Sequence, residues 1–280
     1  MAVLATSDLC LLTPRLSAQS PDARPMLTRI GDYVEQYYGR AQSILASESV
    51  SLQPLTRDFM FDGFARRLEY ELRLEWDPAA SGDVSPARIV RSLVAVNGRS
   101  PRAREEPRCI DPRGVSPEPL AFLLSERRDK FIFHPGPLET VDGRPTAVYD
   151  YRSVRPEAPR VEWREDCASI DLPGRTRGRL WADAETGAIV RLDEQLIGIV
   201  DIPVPIGWQR RGSSPFMTVE RADMTIRYRA VTFTDPDETL MLPSTVETVV
   251  IVRNSGSPRL RITQEYTNYR RFVTAGRILR

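Results

Sequence analysis

The chain carries one histidine, His134, in "FIFHPGP", and three cysteines, Cys10, Cys109 and Cys167. A single histidine cannot build a His-based metal cluster, and any Ser-His-Asp or Cys-His nucleophile would depend on this one side chain. It stands at the end of an apolar run before two prolines, with no GxSxG elbow and no CxxC elsewhere, so it reads as a strand-end histidine. The phosphate-binding patterns GxGxxG and GxxxxGK[ST] are absent, as is an EF-hand loop. Glu105-Glu106, Glu165-Asp166 and Asp193-Glu194 are paired carboxylates by sequence. On a strand, however, neighbouring side chains point to opposite faces and make poor acid/base dyads. Neither catalysis nor a cofactor is expected.

Cys109 and Cys167 admit two readings. They pair as one disulfide if the chain matures in an oxidising compartment and Cys10 leaves with a leader, or they are two unrelated thiols. Lys and Arg number 39 against 38 Asp and Glu, a formal net charge of +1. The doublets Arg66-Arg67, Arg127-Arg128, Arg210-Arg211 and Arg270-Arg271 are scattered along the chain among acids, so no nucleic-acid surface is expected. No apolar run approaches the roughly 18 residues of a membrane-spanning helix.

The elements that must position these residues are mostly strands. Twenty-three prolines and 16 glycines punctuate the chain into short segments. The first twenty residues, "MAVLATSDLCLLTPRLSAQS", have the small-x-small pattern of a secretory signal but are broken by Asp8. They read as a truncated signal or as a disordered leader. Residues 20–26 follow as a Pro-punctuated linker. Leu27, Ile30, Val34, Tyr37, Ala41 and Ile44 then recur at steps of three and four, which predicts an amphipathic helix.

"RRLEYELRLEW", residues 66–76, alternates strictly, with Leu68, Tyr70, Leu72, Leu74 and Trp76 on one face and charges on the other, which predicts a half-buried strand. "RIVRSLVAV" predicts a strand ending at the Asn97-Gly98 turn. A second, short helix is predicted over Pro117–Arg128, with Ser116 as N-cap. After it come "KFIFH", a hairpin at Asp142-Gly143, "RVEWRE", the hairpin "GRLWADAETGAIVRLDEQL", "MTIRYRAVTF", "PSTVETVVIVRN" and "RLRITQEYTNYRRF". The Pro- and Gly-rich connection 198–216 holds Ile199, Val200, Ile202, Val204, Ile206 and Trp208. It reads either as a lid across the sheet or as a loop filling a core gap. The fold class is mainly β (α+β): one strongly curved antiparallel sheet, an unclosed β-barrel, with the N-terminal helix and the short mid-chain helix on its concave face. Residues 1–25 are read as signal-like leader and linker, and 26–280 as a single domain.

The order of these elements carries a resemblance. The pattern "G-x-x-x-x-D-x-x-T-G-x-I-V-R" from Gly178 to Arg191, the strand "YRAVTF", "LPSTVET" from Leu242 and the closing "YTNYRRF" resemble the LolA/LolB-like superfamily of bacterial envelope proteins, close to uncharacterised secreted members of that fold. The resemblance implies an unclosed barrel whose apolar cavity receives acyl chains of lipids or lipoproteins in the periplasm or outside the cell. It implies a second possibility too, a regulatory module of the same fold that binds an envelope protein. The lining residues expected from alternation and the resemblance together are Leu72, Leu74, Trp76, Trp181 and Trp208.

Overall fold

The computed structural model describes residues 23–41, 43–75, 88–103, 105, 110, 113–164, 167–209, 212–234, 236–256 and 258–271. One α-helix, α1 (Ala23–Arg40), is followed by β1 (Ile44–Pro54), β2 (Arg66–Glu75), β3 (Arg88–Val96), β4 (Phe131–Pro135), β5 (Glu139–Val141), β6 (Arg144–Ser153) and β7 (Arg160–Arg164). Then come β8 (Cys167–Asp171), β9 (Thr176–Asp183), β10 (Ile189–Leu196), β11 (Val200–Pro203), β12 (Phe216–Thr234), β13 (Asp237–Arg253) and β14 (Leu260–Arg271). All but β7 and β8 belong to one sheet of order β3-β2-β1-β14-β13-β12-β10-β9-β6-β4, with β11 also on β12 and β5 also on β6. Every pairing is antiparallel, and among the described residues the end strands β3 and β4 do not pair with each other, so the barrel is unclosed.

Register shifts bend the sheet. The clearest lies between Arg227 and Tyr228, where β13 places Pro243 opposite Tyr228 and leaves Ser244 as the extra residue. A proline has no N–H to give a ladder, so a bulge is where a long strand tolerates one. The Ser244 hydroxyl donates to the Arg227 carbonyl and closes the gap.

The inner face is defined by α1. Its stripe, Met26, Ile30, Val34, Tyr37, Tyr38 and Ala41, is buried in one apolar cluster with Leu72 and Leu74 of β2, Tyr149 of β6 and Leu192 of β10. In a flat sheet, β2 and β6 would lie seven strand spacings apart, about 34 Å, so the sheet curls around the helix. Pro25 stands in the first turn of α1, where a missing N–H costs nothing. Gly31 lets α1 approach closely, since a Cβ there would meet the Leu123 carbonyl at 3.1 Å.

Two sequence expectations are corrected. The helix begins at Ala23, inside the stretch read as linker, and ends at Arg40; Ile44 opens β1 instead of closing the helical stripe. The mid-chain helix is a 3-10 turn over Glu118–Leu123, and Leu124 is already extended. Leu120 to Leu124 are all buried, so this segment is enclosed on every side rather than laid down on one stripe. The connection 198–216 contributes β11, with Val200 and Ile202 buried beneath the separate hairpin β7–β8, while Ile199 and Ile206 are exposed.

Candidate ligand-binding site

The inner face is mostly apolar across the sheet, and its cover among the described residues is α1 and the 3-10 turns Arg113–Val115 and Glu118–Leu123 rather than a second sheet. Leu72 and Leu74 belong to it, each buried beneath α1. Trp181 does not. It alternates with Leu180 and Ala182, both in the inner cluster, and so stands on the outer face. There its Nε1–H donates to Glu139 at 2.8 Å, and the guanidinium of Arg191 lies 4.7 Å from its ring. Trp208 is 39% exposed beyond β11, tilted against Trp163 with centroids 5.4 Å apart. The structure therefore brings Leu72 and Leu74 together and leaves Trp181 and Trp208 elsewhere. Trp76 and Cys109 lie outside the described residues. Cys167, first residue of β8, is disulfide-bonded. His134 is exposed in β4 opposite Asp150.

Three polar groups interrupt the apolar inner face, and alternation alone could have flagged two of them. In β1, the inward stripe Ile44, Ala46, Glu48, Val50 includes a carboxylate. Glu48 is fully buried and receives a two-pronged grip from Arg91 of β3, Nε at 2.8 Å and Nη2 at 2.6 Å. Gln264 of β14 donates to the same carboxylate at 2.9 Å, and Arg91 reaches the Ile110 carbonyl and lies over the Tyr70 ring at 4.5 Å. A buried ion pair of this kind persists only when its remaining donors and acceptors are satisfied, as they are here.

In β10, Glu194 follows Leu192 on the inward stripe, while Asp193 faces out to Arg191. The pair Asp193-Glu194 thus splits across the sheet, as adjacent strand residues must. The phenol of Tyr151 on β6 donates to Glu194 at 3.2 Å, two strands away. It gets there because the residue between them in register is Gly178, where a Cβ would stand 2.6 Å from the Tyr151 hydroxyl and 2.0 Å from the Asp193 carbonyl. Burial pushes the Glu194 carboxyl up to about 7, with the Tyr151 hydrogen bond acting the other way. Burial likewise pushes Tyr151 well up, with the Glu194 charge next in size. Phe122 stacks on the Tyr151 ring at 4.5 Å, with Phe131 and Phe133 beyond, so the Tyr151 ring sits in an aromatic surround.

The third group is a set of phenols beneath α1, from Tyr33 and Tyr37 of the helix and Tyr228 and Tyr269 of the sheet. Tyr269 donates to the Pro243 carbonyl at the bulge, 2.6 Å away.

No protein-family model matches the sequence, and no curated protein matches it. Solved structures of related course exist. An outer membrane lipoprotein-sorting protein domain from Vibrio parahaemolyticus is 10% identical, covering 91% of this chain and 96% of its own, at a TM-score of 0.41. A DUF1329 family protein from Desulfovibrio piger is 11% identical over 90% of this chain and 94% of its own, at 0.40. A LolA superfamily protein from Nitrosomonas europaea is 10% identical over 88% and 94%, at 0.34. The chain is similar to these in structure alone, and the functional reading is built from its own side chains.

Proposed function

We propose that the chain is a non-enzymatic protein of the bacterial envelope that binds the acyl chain of a lipid or lipoprotein between α1 and the inner face of its sheet. One observation carries this: a largely apolar face spanning β2 to β6, interrupted by Glu48, Glu194 and the phenols, is covered by α1 and by the 3-10 turns Arg113–Val115 and Glu118–Leu123. The cover also carries polar ties, among them the Met241 N–H donating to the Tyr33 hydroxyl and Arg271 donating to the Arg40 carbonyl. Arg29 and Arg128 each donate to one backbone carbonyl, Ala184 and Leu27 respectively, Arg40 pairs with Glu238, and Ser125 donates to Glu35. The rest of the adhesion is apolar, and an alkyl chain competes for that part at roughly 0.8 kcal/mol per methylene. The disulfide at Cys167 supports an oxidising compartment such as the periplasm or the exterior. Native mass spectrometry of gently purified protein tests the reading. An adduct of lipid mass, removed by organic extraction and restored by a fatty acid, is expected; a chain that neither retains nor takes up any acyl ligand would overturn it.

A regulatory reading, in which a protein partner docks, has one observation in its favour. The turn between β1 and β2 exposes Met60, Phe61 and Phe64, the last 99% exposed. The turn is nonetheless tied down by Thr56, whose carbonyl and hydroxyl accept the N–H groups of Phe59 and Met60. Replacing Phe61 and Phe64 by serine would abolish such a complex and leave lipid uptake intact.

A further inference from the structure

Tyr37 is 2% exposed and Tyr228 is 4% exposed, and neither phenol oxygen has a hydrogen-bond partner among the described residues. A buried hydroxyl without a partner is rare and calls for an explanation. Two phenols around them have hydrogen bonds: Tyr269 donates to the Pro243 carbonyl, and Tyr33 accepts the Met241 N–H at 3.4 Å. The two orphans occupy opposite walls of one seam, Tyr37 on the helix and Tyr228 on the sheet at the β12–β13 bulge, a feature that re-aims a side chain. They are close enough that each other's charge would matter: after burial, the Tyr37 phenol is the largest influence raising Tyr228. Both are held neutral, Tyr37 by burial first, so each offers an O–H donor. Arg271, which ties Glu238 and the Arg40 carbonyl at the end of α1, adds positive charge within reach of Tyr37.

We infer that this seam is the polar end of the ligand site, where the Tyr37 and Tyr228 hydroxyls take the carboxylate or ester carbonyl oxygen of an acyl chain lying between α1 and the sheet. The inference rests on the acyl-chain reading proposed above and deepens it. Two neutral O–H donors in one buried cluster suit an sp² oxygen acceptor, and the apolar residues around them suit the chain attached to it. A ligand that presents its oxygen there satisfies two hydroxyls which the empty fold leaves unpaired. A pure hydrocarbon does not, so the site prefers oxygen-bearing chains through its own unmet donors.

The test is displacement of the hydrocarbon probe diphenylhexatriene from the full chain by palmitic acid, methyl palmitate and hexadecane, in wild type and in the double variant Tyr37→Phe/Tyr228→Phe. Melting temperatures establish that the variant is folded. Wild type is expected to prefer palmitic acid or its ester over hexadecane, and the variant to lose that preference by about tenfold, the worth of one to two hydrogen bonds. Tighter binding of the acid than of the ester identifies the carboxylate as the natural acceptor, and parity identifies the carbonyl. If both proteins take up all three chains with the same preferences, the anchor is overturned while the acyl-chain reading stands. If wild type binds none of the three, the acyl-chain reading falls and the anchor with it.

Discussion

Two polar clusters share the inner face, and they are built in opposite ways. At the β3 end, Glu48, Arg91 and Gln264 come from three strands of one sheet, and each charge meets its partner within 3 Å. Under α1, Tyr37 and Tyr228 come from a helix and a strand and leave two hydroxyls unpaired. The difference lies in what holds the pieces in place. Neighbouring strands are locked by ladder hydrogen bonds, so side chains on them can be matched atom for atom. A helix resting on a sheet through apolar contacts is positioned by packing, with no ladder that aligns a hydroxyl with a partner. The Tyr151–Glu194 contact falls between the two, a carboxyl that meets one phenol donor and no cation among the described residues.

This series orders the expected effects. Arg91→Met should be the most damaging, destabilising the protein by about 3–5 kcal/mol because it strands Glu48 as a buried, uncompensated charge. Adding Glu48→Leu should recover most of that loss; urea titrations of the single and double variants measure both. A single variant that unfolds within 1 kcal/mol of wild type, on the order of a surface pair, would erase the distinction between the clusters.

Glu194 should impose a pH dependence of its own. Its folded value is raised from 4.5 to about 7. Below 4.5 the carboxyl is protonated in folded and unfolded chains alike and contributes nothing. As the pH rises towards 7, the unfolded chain releases the proton and the folded chain retains it, so stability falls by up to about 3 kcal/mol and is level above that. Glu194→Gln should remove this slope, and a difference between the two proteins that does not vary with pH would show the carboxyl to be solvated.

Gly178→Ala should cost about 1–3 kcal/mol, since its methyl group must displace the Tyr151 hydroxyl and the Asp193 carbonyl. It should also enlarge the pH sensitivity of Glu194, because the Tyr151 hydrogen bond that opposes the upward push of burial is lost. Circular dichroism melts across pH report both. The smallest effect should have the opposite sign. Tyr37→Phe and Tyr228→Phe should each leave stability equal or raise it by about 1 kcal/mol, because an unpaired hydroxyl is removed from an apolar site. A loss of stability on either substitution would mean that the hydroxyl has a partner in solution and that the two clusters are alike.

Much of the wall was legible in the sequence. Residues 66–75, the turns at Asn97-Gly98 and Asp142-Gly143 and the hairpin containing Gly178 stand where alternation and turn chemistry put them, with Asn97 and Asp142 in the left-handed region that such turns require. The strand β1 was hidden because Glu48 occupies an inward slot, which breaks the apolar alternation that reveals β2, and because Ile44 happens to continue the helical spacing of α1. For the site, Leu72 and Leu74 were legible as one face. The opposition of Trp181 to Leu180 was legible too, but not which of them looks inward. Glu194 carried a signal that went unused: a carboxylate in step with Val190 and Leu192.

Sequence by itself determined the periodicities: where strands run, where they turn and which side chains share a face. These are properties of a few consecutive residues and need no partner. Only the tertiary structure decided which face became interior and which buried polar atoms were answered. Glu48 meets Gln264 across 216 positions of chain, and Tyr151 meets Glu194 across 43 only because a glycine lies between them in register. Such meetings are fixed by strand order and by the curl of the sheet around α1. That same curl brings Tyr37 over Tyr228 with no ladder to align them, and their hydroxyls remain unpaired.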